Sequence, residues 1–412
     1  MKVMFLTNAY PPEIGGTANL FFELAQALKG RGHSISVVTC VPRDIPIEIN
    51  PHAQQSGIEK ENRKEAEVIR VKIPRLNHRI PFMKEFEHFI NVWLYIIACL
   101  KCKTSDVILI TSPPLVIAYA ALICGFFKKA KVILNVQDIF PQNFIDLGVM
   151  KNKPLIALSR FLEKDIYKRV DWLTVMSQGN KKIIDETSQQ PGKVSVVENW
   201  IDADYIVPGE KMNEFRSEFG LGDKFVLSFA GCMADSQDMK IILDSAKLLE
   251  KEKDIIFLLA GNGPKYDVVV KMVSDSGLNN VKLIPIQPRE KYVQLLAASD
   301  VGMVTLNPLV KTPTVPSKIK SIMSASRPVL ASFPEGGDAP RLIRDADCGV
   351  VVAAGDTLAF TDAILKLYWN TELCKTLGQN GRKYVLEHLT VQKGAEAYAN
   401  IFNRVYKDGV GC

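Results

Sequence analysis

Residues 301–332, VGMVTLNPLVKTPTVPSKIKSIMSASRPVLAS, carry one complete folding unit in a single stretch. The apolar run Val301 to Leu306 reads as a strand buried on both faces, because a covered parallel strand needs no polar alternation. A proline-punctuated polar loop follows, and a helix opens at Thr314-Val315-Pro316-Ser317-Lys318. Proline suits a first helical turn, where its missing N–H would have had no partner anyway. The helix closes at Ala325-Ser326-Arg327, and Pro328 to Ala331 forms the next strand. Such a β-loop-α-β unit sets a helix N-terminus at the carboxyl end of a strand. Free N–H groups and the positive end of the helix dipole gather there and attract anions. Ser317 and Lys318 add a hydroxyl and a cation at that spot. The plainer reading, a capped helix of any parallel α/β protein, stands equal to this one on the stretch alone.

The rest of the chain repeats the alternation. Lys2 to Thr7 is a strand, and Asn8 to Gly16 a loop ending in Gly15-Gly16. A helix from about Thr17 to Gly30 then carries Leu20, Phe21, Leu24 and Leu28 at helical spacing. Ser34 to Cys40 is the second strand. The glycines do not form the G-x-G-x-x-G of dinucleotide folds, which follows its strand directly. Paired glycines at a helix start still let backbone N–H groups approach a ligand closely, unless they serve only a tight turn. Residues 43–67 read as a polar surface excursion, Val68 to Ile73 as a strand and 79–103 as a helix. Strands at Asp106 to Thr111 and Lys131 to Val136 follow, the latter running into Gln137-Asp138. A charge just past a buried parallel strand sits in the crevice where such sheets bind ligands, which makes Asp138 the leading catalytic carboxylate; capping a helix is its other possible use. Near residues 203–222 the pattern turns polar and a second α/β domain begins. Its strands are Lys224 to Ala230, Ile255 to Ala260, Val281 to Ile284, the opening unit, and Gly349 to Val352. Gly231 ends the first of them, and Gly261-Asn262-Gly263-Pro264 links the second to a helix. The tail from Thr357 reads as helical.

A chain of 412 residues is too long for one ordinary core, so two domains are expected. Residues 1–200 hold 26 Lys and Arg against 19 Asp and Glu, and the remainder 25 against 26. The excess of positive charge therefore lies in the first half and favours an acidic partner: a phosphate-bearing substrate or an anionic membrane surface. No nucleic-acid-binding motif accompanies it. Eight scattered cysteines and a start directly on a strand, with no signal peptide, predict free thiols in a reducing cytoplasm. Cys99 and Cys102 form a C-x-x-C with no second pair and read as structural. Five scattered histidines offer no metal-ligand spacing. Residues 89–100 and 115–127 are the longest apolar runs, too short to span a bilayer. Buried helices explain them most simply, although their aromatic and basic flanks also suit contact with lipid headgroups.

Ten pieces in order carry a resemblance: 10-YPPEIGG-16 with 24-LAQALKGRGHSISVVT-39, 112-SPP-114, 135-NVQDIFPQ-142, 198-ENWID-202, 227-LSFAGCM-233, 259-LAGNGP-264, 316-PSK-318 with 324-SASRPVLAS-332, and 381-GRKYVLEHLT-390. Each is weak alone, and together they cover almost the full length. The chain resembles the family-four retaining glycosyltransferases of GT-B fold, in particular the N-acetylfucosamine transferases of bacterial O-antigen and capsule clusters. The resemblance implies two Rossmann-like α/β domains facing a central cleft. It implies an acceptor-binding domain at 1–205, a nucleotide-sugar-binding domain at 206–390, and a C-terminal helix, 391–412, packing back on the first. It implies a UDP-sugar donor and a polyprenyl-diphosphate-linked saccharide acceptor held at the inner face of the plasma membrane by a cytoplasmic, peripheral enzyme. Gly15 and Gly16 would face the donor phosphate and Asp138 the reacting sugar, with Gly16 and Asp138 the catalytic pair. Gly231, Gln237, Gly261, Asn262, Gly263, Ser317, Lys318 and Ser321 would line the donor site, and Tyr10, Glu13 and Asn199 the acceptor side. Amides, a helix dipole and a lysine can stabilise a departing diphosphate with no cofactor or metal.

The chain also departs from the family pattern. Two glutamates eight residues apart are replaced by Pro313 and Ser321, and a cationic pair after the first strand of the second domain by Cys232 and Gln237. Lys318 is the cation available to substitute. Two other readings compete with the transferase: a catalytically silent binding subunit of the same fold, favoured by the missing glutamates, and a sugar-nucleotide epimerase, which calls for more cleft carboxylates and histidines.

Overall fold

A computed structural model describes residues 1–13, 15–42, 57–74 and 83–410. In chain order the first part contains β1 (Lys2–Leu6), α1 (Gly16–Gly30), β2 (Ser34–Cys40), β3 (Ile58–Asn62), β4 (Glu67–Val71), α2 (Met83–Lys101), β5 (Val107–Ser112), α3 (Ala118–Lys128), β6 (Lys131–Val136), α4 (Gln142–Asp146), α5 (Lys153–Arg169), β7 (Trp172–Val175), α6 (Gln178–Ser188) and β8 (Val194–Val196). The second contains α7 (Glu214–Glu218), β9 (Phe225–Cys232), α8 (Met239–Leu248), β10 (Ile255–Asn262), α9 (Tyr266–Ser276), β11 (Val281–Pro285), α10 (Arg289–Ala298), β12 (Val301–Thr305), α11 (Ser317–Ser324), β13 (Val329–Phe333), α12 (Asp338–Asp345), β14 (Gly349–Ala353), α13 (Thr357–Tyr368), α14 (Thr371–His388) and α15 (Val391–Val410). Residues 1–144, 150–200 and 391–412 form one compact unit, and 145–149 with 201–390 the other.

The first unit is built on an eight-stranded sheet in the order β3-β4-β2-β1-β5-β6-β7-β8. All its pairs are parallel except β3 with β4. Alternate residues of a strand face opposite sides, so Met4 and Leu6 enter a core with α2, α3, α5 and α6, while Val3 and Phe5 enter one with α1 and α15. The excursion expected over 43–67 contains a strand instead. Ile58–Asn62 (IEKEN) pairs antiparallel at the sheet edge and exposes most of its side chains, so it lacks the apolar signal of the buried strands. Residues 43–56 and 79–82 lie outside the described residues.

The second unit has a six-stranded parallel sheet in the order β11-β10-β9-β12-β13-β14. Phe225, Leu227 and Phe229 pack toward α8 and α13, and Val226 toward the opposite side. Strand order reverses between β9 and β12, as it does between β1 and β5 in the first unit. Crevices at the carboxyl ends of strands at such switch points are where open α/β sheets bind ligands. Among the described residues, no helix is long and apolar enough to cross a membrane.

Candidate functional site

In the second unit the carboxyl ends of β9 and β10 are zipped together, Gly261 opposite Gly231 and Asn262 opposite Cys232. Two of these glycines are sterically required. A Cβ on Gly261 would lie 2.2 Å from the Gly231 carbonyl oxygen, and Gly263, at φ +127°, has the Met233 carbonyl oxygen 2.7 Å from where its Cβ would be. The close approach leaves Asn262 and Cys232 exposed at the sheet's edge.

Across the switch point, α11 begins at exposed Ser317, and the next residue, Lys318, reaches back to β9. Its ammonium donates to Gln237 Oε1 at 3.0 Å and sits 3.7 Å from the ring centre of Phe229, a cation–π contact. Gly231 lies directly against this side chain, a Cβ there standing 3.4 Å from Lys318 Cε and Nζ. Among the described residues, no carboxylate pairs with the ammonium. Burial pushes its pKa down to about 7, the nearby Cys232 opposing that shift. The structure thus brings Gly231, Gln237, Gly261, Asn262, Gly263, Ser317 and Lys318 to one edge of one sheet. A cation held there beside a helix N-terminus and a glycine-lined edge is equipped to take a phosphate group. Ser321, by contrast, is buried one turn further along α11 and bonded to the Tyr292 hydroxyl, so its own hydroxyl already has a partner.

In the first unit, Gly15 and Gly16 are exposed at the start of α1, and among the described residues nothing beyond its chain neighbours lies within 4 Å of a Cβ placed on Gly15. Asp138 follows β6 and is exposed, with Asn143 Nδ2 3.5 Å from its carboxylate. Desolvation by the protein around it raises the Asp138 pKa above the ordinary carboxylate value. Asn199 pairs reciprocally with Gln137, donating at 2.7 Å and accepting at 3.2 Å, so it braces the residue before Asp138. Glu13 is half-buried, its N–H bonded to the Tyr10 carbonyl. Tyr10 needs correcting as an acceptor-side contact: it is fully buried, donates to Glu65 at 3.1 Å and packs edge-on against Phe22. Desolvation, reinforced by Glu65, raises its hydroxyl pKa. The residue supports the loop from inside.

Sequence reading missed the groups that hold these loops. Arg70 is fully buried and donates to the Pro11 carbonyl and to Glu61, clamping the loop before Gly15. Its signal was a charge between the apolar residues of VIRV, in the second half of β4. Phe229, the platform under Lys318, lay unremarked within the strand read at Lys224 to Ala230.

Comparisons with known proteins come to the same place from outside. Residues 14–205 match the family model Glycosyltransferase Family 4, and residues 224–370 match Glycosyl transferases group 1. The glycosyltransferase WbjE of Pseudomonas aeruginosa is 25% identical over 296 residues, 71% of this chain and 74% of that protein. The colanic acid biosynthesis glycosyl transferase WcaI of Escherichia coli is 20% identical over 332 residues, 79% of this chain and 81% of its own. The structure of HepE from Anabaena in complex with UDP-glucose aligns with a TM-score of 0.73 at 16% identity, covering 98% of this chain and 100% of that one. With the two family models following one another along most of its length, the chain is a GT-B glycosyltransferase of the family-4 type.

Proposed function

We propose that this glycosyltransferase moves a sugar from a UDP-sugar to a lipid-linked saccharide precursor in bacterial surface polysaccharide synthesis, with retention of configuration. The observation that carries the reading is Lys318 poised on Phe229 at the β9–β12 switch point. Glycosyl transfer must stabilise a departing diphosphate while positive charge develops on the sugar. Lys318, Ser317 and the first amides of α11 would hold the diphosphate, and this needs no metal ion. Gly231 and residues 261–263 would form the nucleotide's bed. Asp138 would act beside the reacting sugar and the acceptor hydroxyl, with Gly16 supplying an amide. HepE is a neighbour solved with UDP-glucose, which supports the donor class, and WcaI is named for colanic acid synthesis, which supports the polysaccharide setting. The basic first half suits a diphosphate-bearing, polyprenyl-linked acceptor. An N-acetylated deoxyhexosamine is the sugar suggested by the likeness to N-acetylfucosamine transferases.

A panel of UDP, GDP, ADP and TDP in a thermal-shift assay tests the donor class. A nucleotide at about 100 times its dissociation constant stabilises a fold by roughly 2.7 kcal/mol, so UDP alone is expected to shift the melt. Asp138→Ala should then abolish turnover and keep that shift. A second reading, a silent binding subunit, is favoured by one observation: Ser321, where the family carries a glutamate, is buried against Tyr292. Turnover of any UDP-sugar by the wild type would remove it.

A further inference from the structure

We propose that the outer face of α2 and α3 is a docking surface for an anionic lipid bilayer. Both helices bury one side against the first sheet, with Tyr95, Ala98 and Cys99 of α2 and Ala120, Ala121 and Cys124 of α3 in the core. Their other sides are apolar too. Trp93, Ile97 and Leu100 form a stripe along α2, with Trp93 66% exposed. Ile123, Phe126 and Phe127 form the matching stripe on α3, where Phe126 is 81% and Phe127 66% exposed. A helix apolar all round is normally covered on every side, and this one leaves two aromatic rings standing in solvent.

The stripes belong to one patch. Cys124 Sγ contacts the Ile96 carbonyl at 3.7 Å, and Lys128 Nζ donates to the Cys102 carbonyl at 2.8 Å, so the two helices end side by side. Leu100 and Lys101 therefore finish level with Phe127 and Lys129. Residues 91–105 and 118–131 contain Lys101, Lys103, Lys128, Lys129 and Lys131 and no Asp or Glu. Exposed Lys101, Lys103 and Lys129 fringe the end of the apolar patch. Aromatic side chains beside lysines match the layered chemistry of a bilayer surface, acyl chains beneath phosphates. A second copy of the chain would bring lysines against lysines, which like-charge repulsion opposes.

This inference rests on the lipid-linked-acceptor reading for its purpose, but its test reads lipid binding with no donor or acceptor present, so each can fail alone. The full chain would be sedimented with vesicles of phosphatidylcholine, with and without phosphatidylglycerol. The wild type is expected to sediment with the anionic vesicles, less at high salt, and several-fold less with phosphatidylcholine alone. A variant carrying Phe126→Glu and Phe127→Glu should melt like the wild type and lose at least about tenfold in vesicle affinity. Equal sedimentation of that variant, or no sedimentation of the wild type with anionic vesicles, would overturn the proposal. So would a wild-type dimer in solution that the same variant dissociates, which would assign the face to a second copy.

Discussion

Lys318 is a charge held where charge is unwelcome, and the consequence can be measured. An unfolded lysine titrates near 10.4, whereas desolvation brings folded Lys318 to about 7. Between those values the unfolded chain binds the extra proton, so this residue makes stability rise with pH from about 7 to about 10.5. Below about pH 7 both states are protonated, and the folded state carries the full cost of burying the ammonium. Lys318→Met, which keeps the length and removes the charge, should therefore raise the melting temperature at pH 6 and flatten its climb between pH 7 and 9. A pH series of thermal melts on the two proteins checks both. The same change should weaken UDP binding by about 1.5–3 kcal/mol, the worth of a hydrogen bond to a charged group. A residue that costs stability and supports binding is what a functional site would retain.

At the scale of elements, the site depends on how closely β9 and β10 approach. Gly261→Ala puts a methyl into the Gly231 carbonyl and must part the strands, an overpacking cost of about 1–3 kcal/mol. Urea titration should show a lower midpoint with an unchanged slope, and UDP affinity should fall because Gly231 and the Lys318 seat move together. In the first unit, Arg70→Ala should cost about 1–3 kcal/mol, since it removes a fully buried side chain and leaves the Pro11 carbonyl without its donor. Much of this architecture was legible. Doubly covered parallel strands carry short apolar runs, VILI in β5 and VIL in β6, and glycines and charges past their ends mark the ligand-binding edge. β3 was illegible because an exposed edge strand is polar, and α12, DAPRLIRD, because four of its eight residues are charged and a fifth is proline. Exposure was illegible as well. Tyr10 reads as an aromatic offered to an acceptor until its burial against Glu65 is seen, and Lys318 declares itself a cation without revealing that it rests on Phe229.

In the molecule as a whole, the end of the chain completes its beginning. α15 packs on the first unit's sheet, where the Tyr398 hydroxyl accepts from Asn135 at 2.9 Å and shares a hydrogen with Thr174, beneath the strand that leads to Asp138. Gly394 makes the docking possible, because a Cβ there would fall 2.0 Å from the Trp200 ring. Phe402 is fully buried in the same cluster, and Phe402→Ala should cost about 3–5 kcal/mol. Chemical denaturation checks the loss, with UDP binding, a property assigned to the second unit, expected to persist under native conditions. The most direct test of the central claim is titration calorimetry of UDP at pH 8 in two buffers of different ionisation enthalpy. Lys318 is mostly neutral there, and a bound diphosphate favours its charged form, so binding should take up a proton and the apparent enthalpy should differ between buffers. That difference should vanish in Lys318→Met. UDP binding with no proton uptake, or with uptake that survives the substitution, would contradict the assignment of Lys318 as the diphosphate's cation.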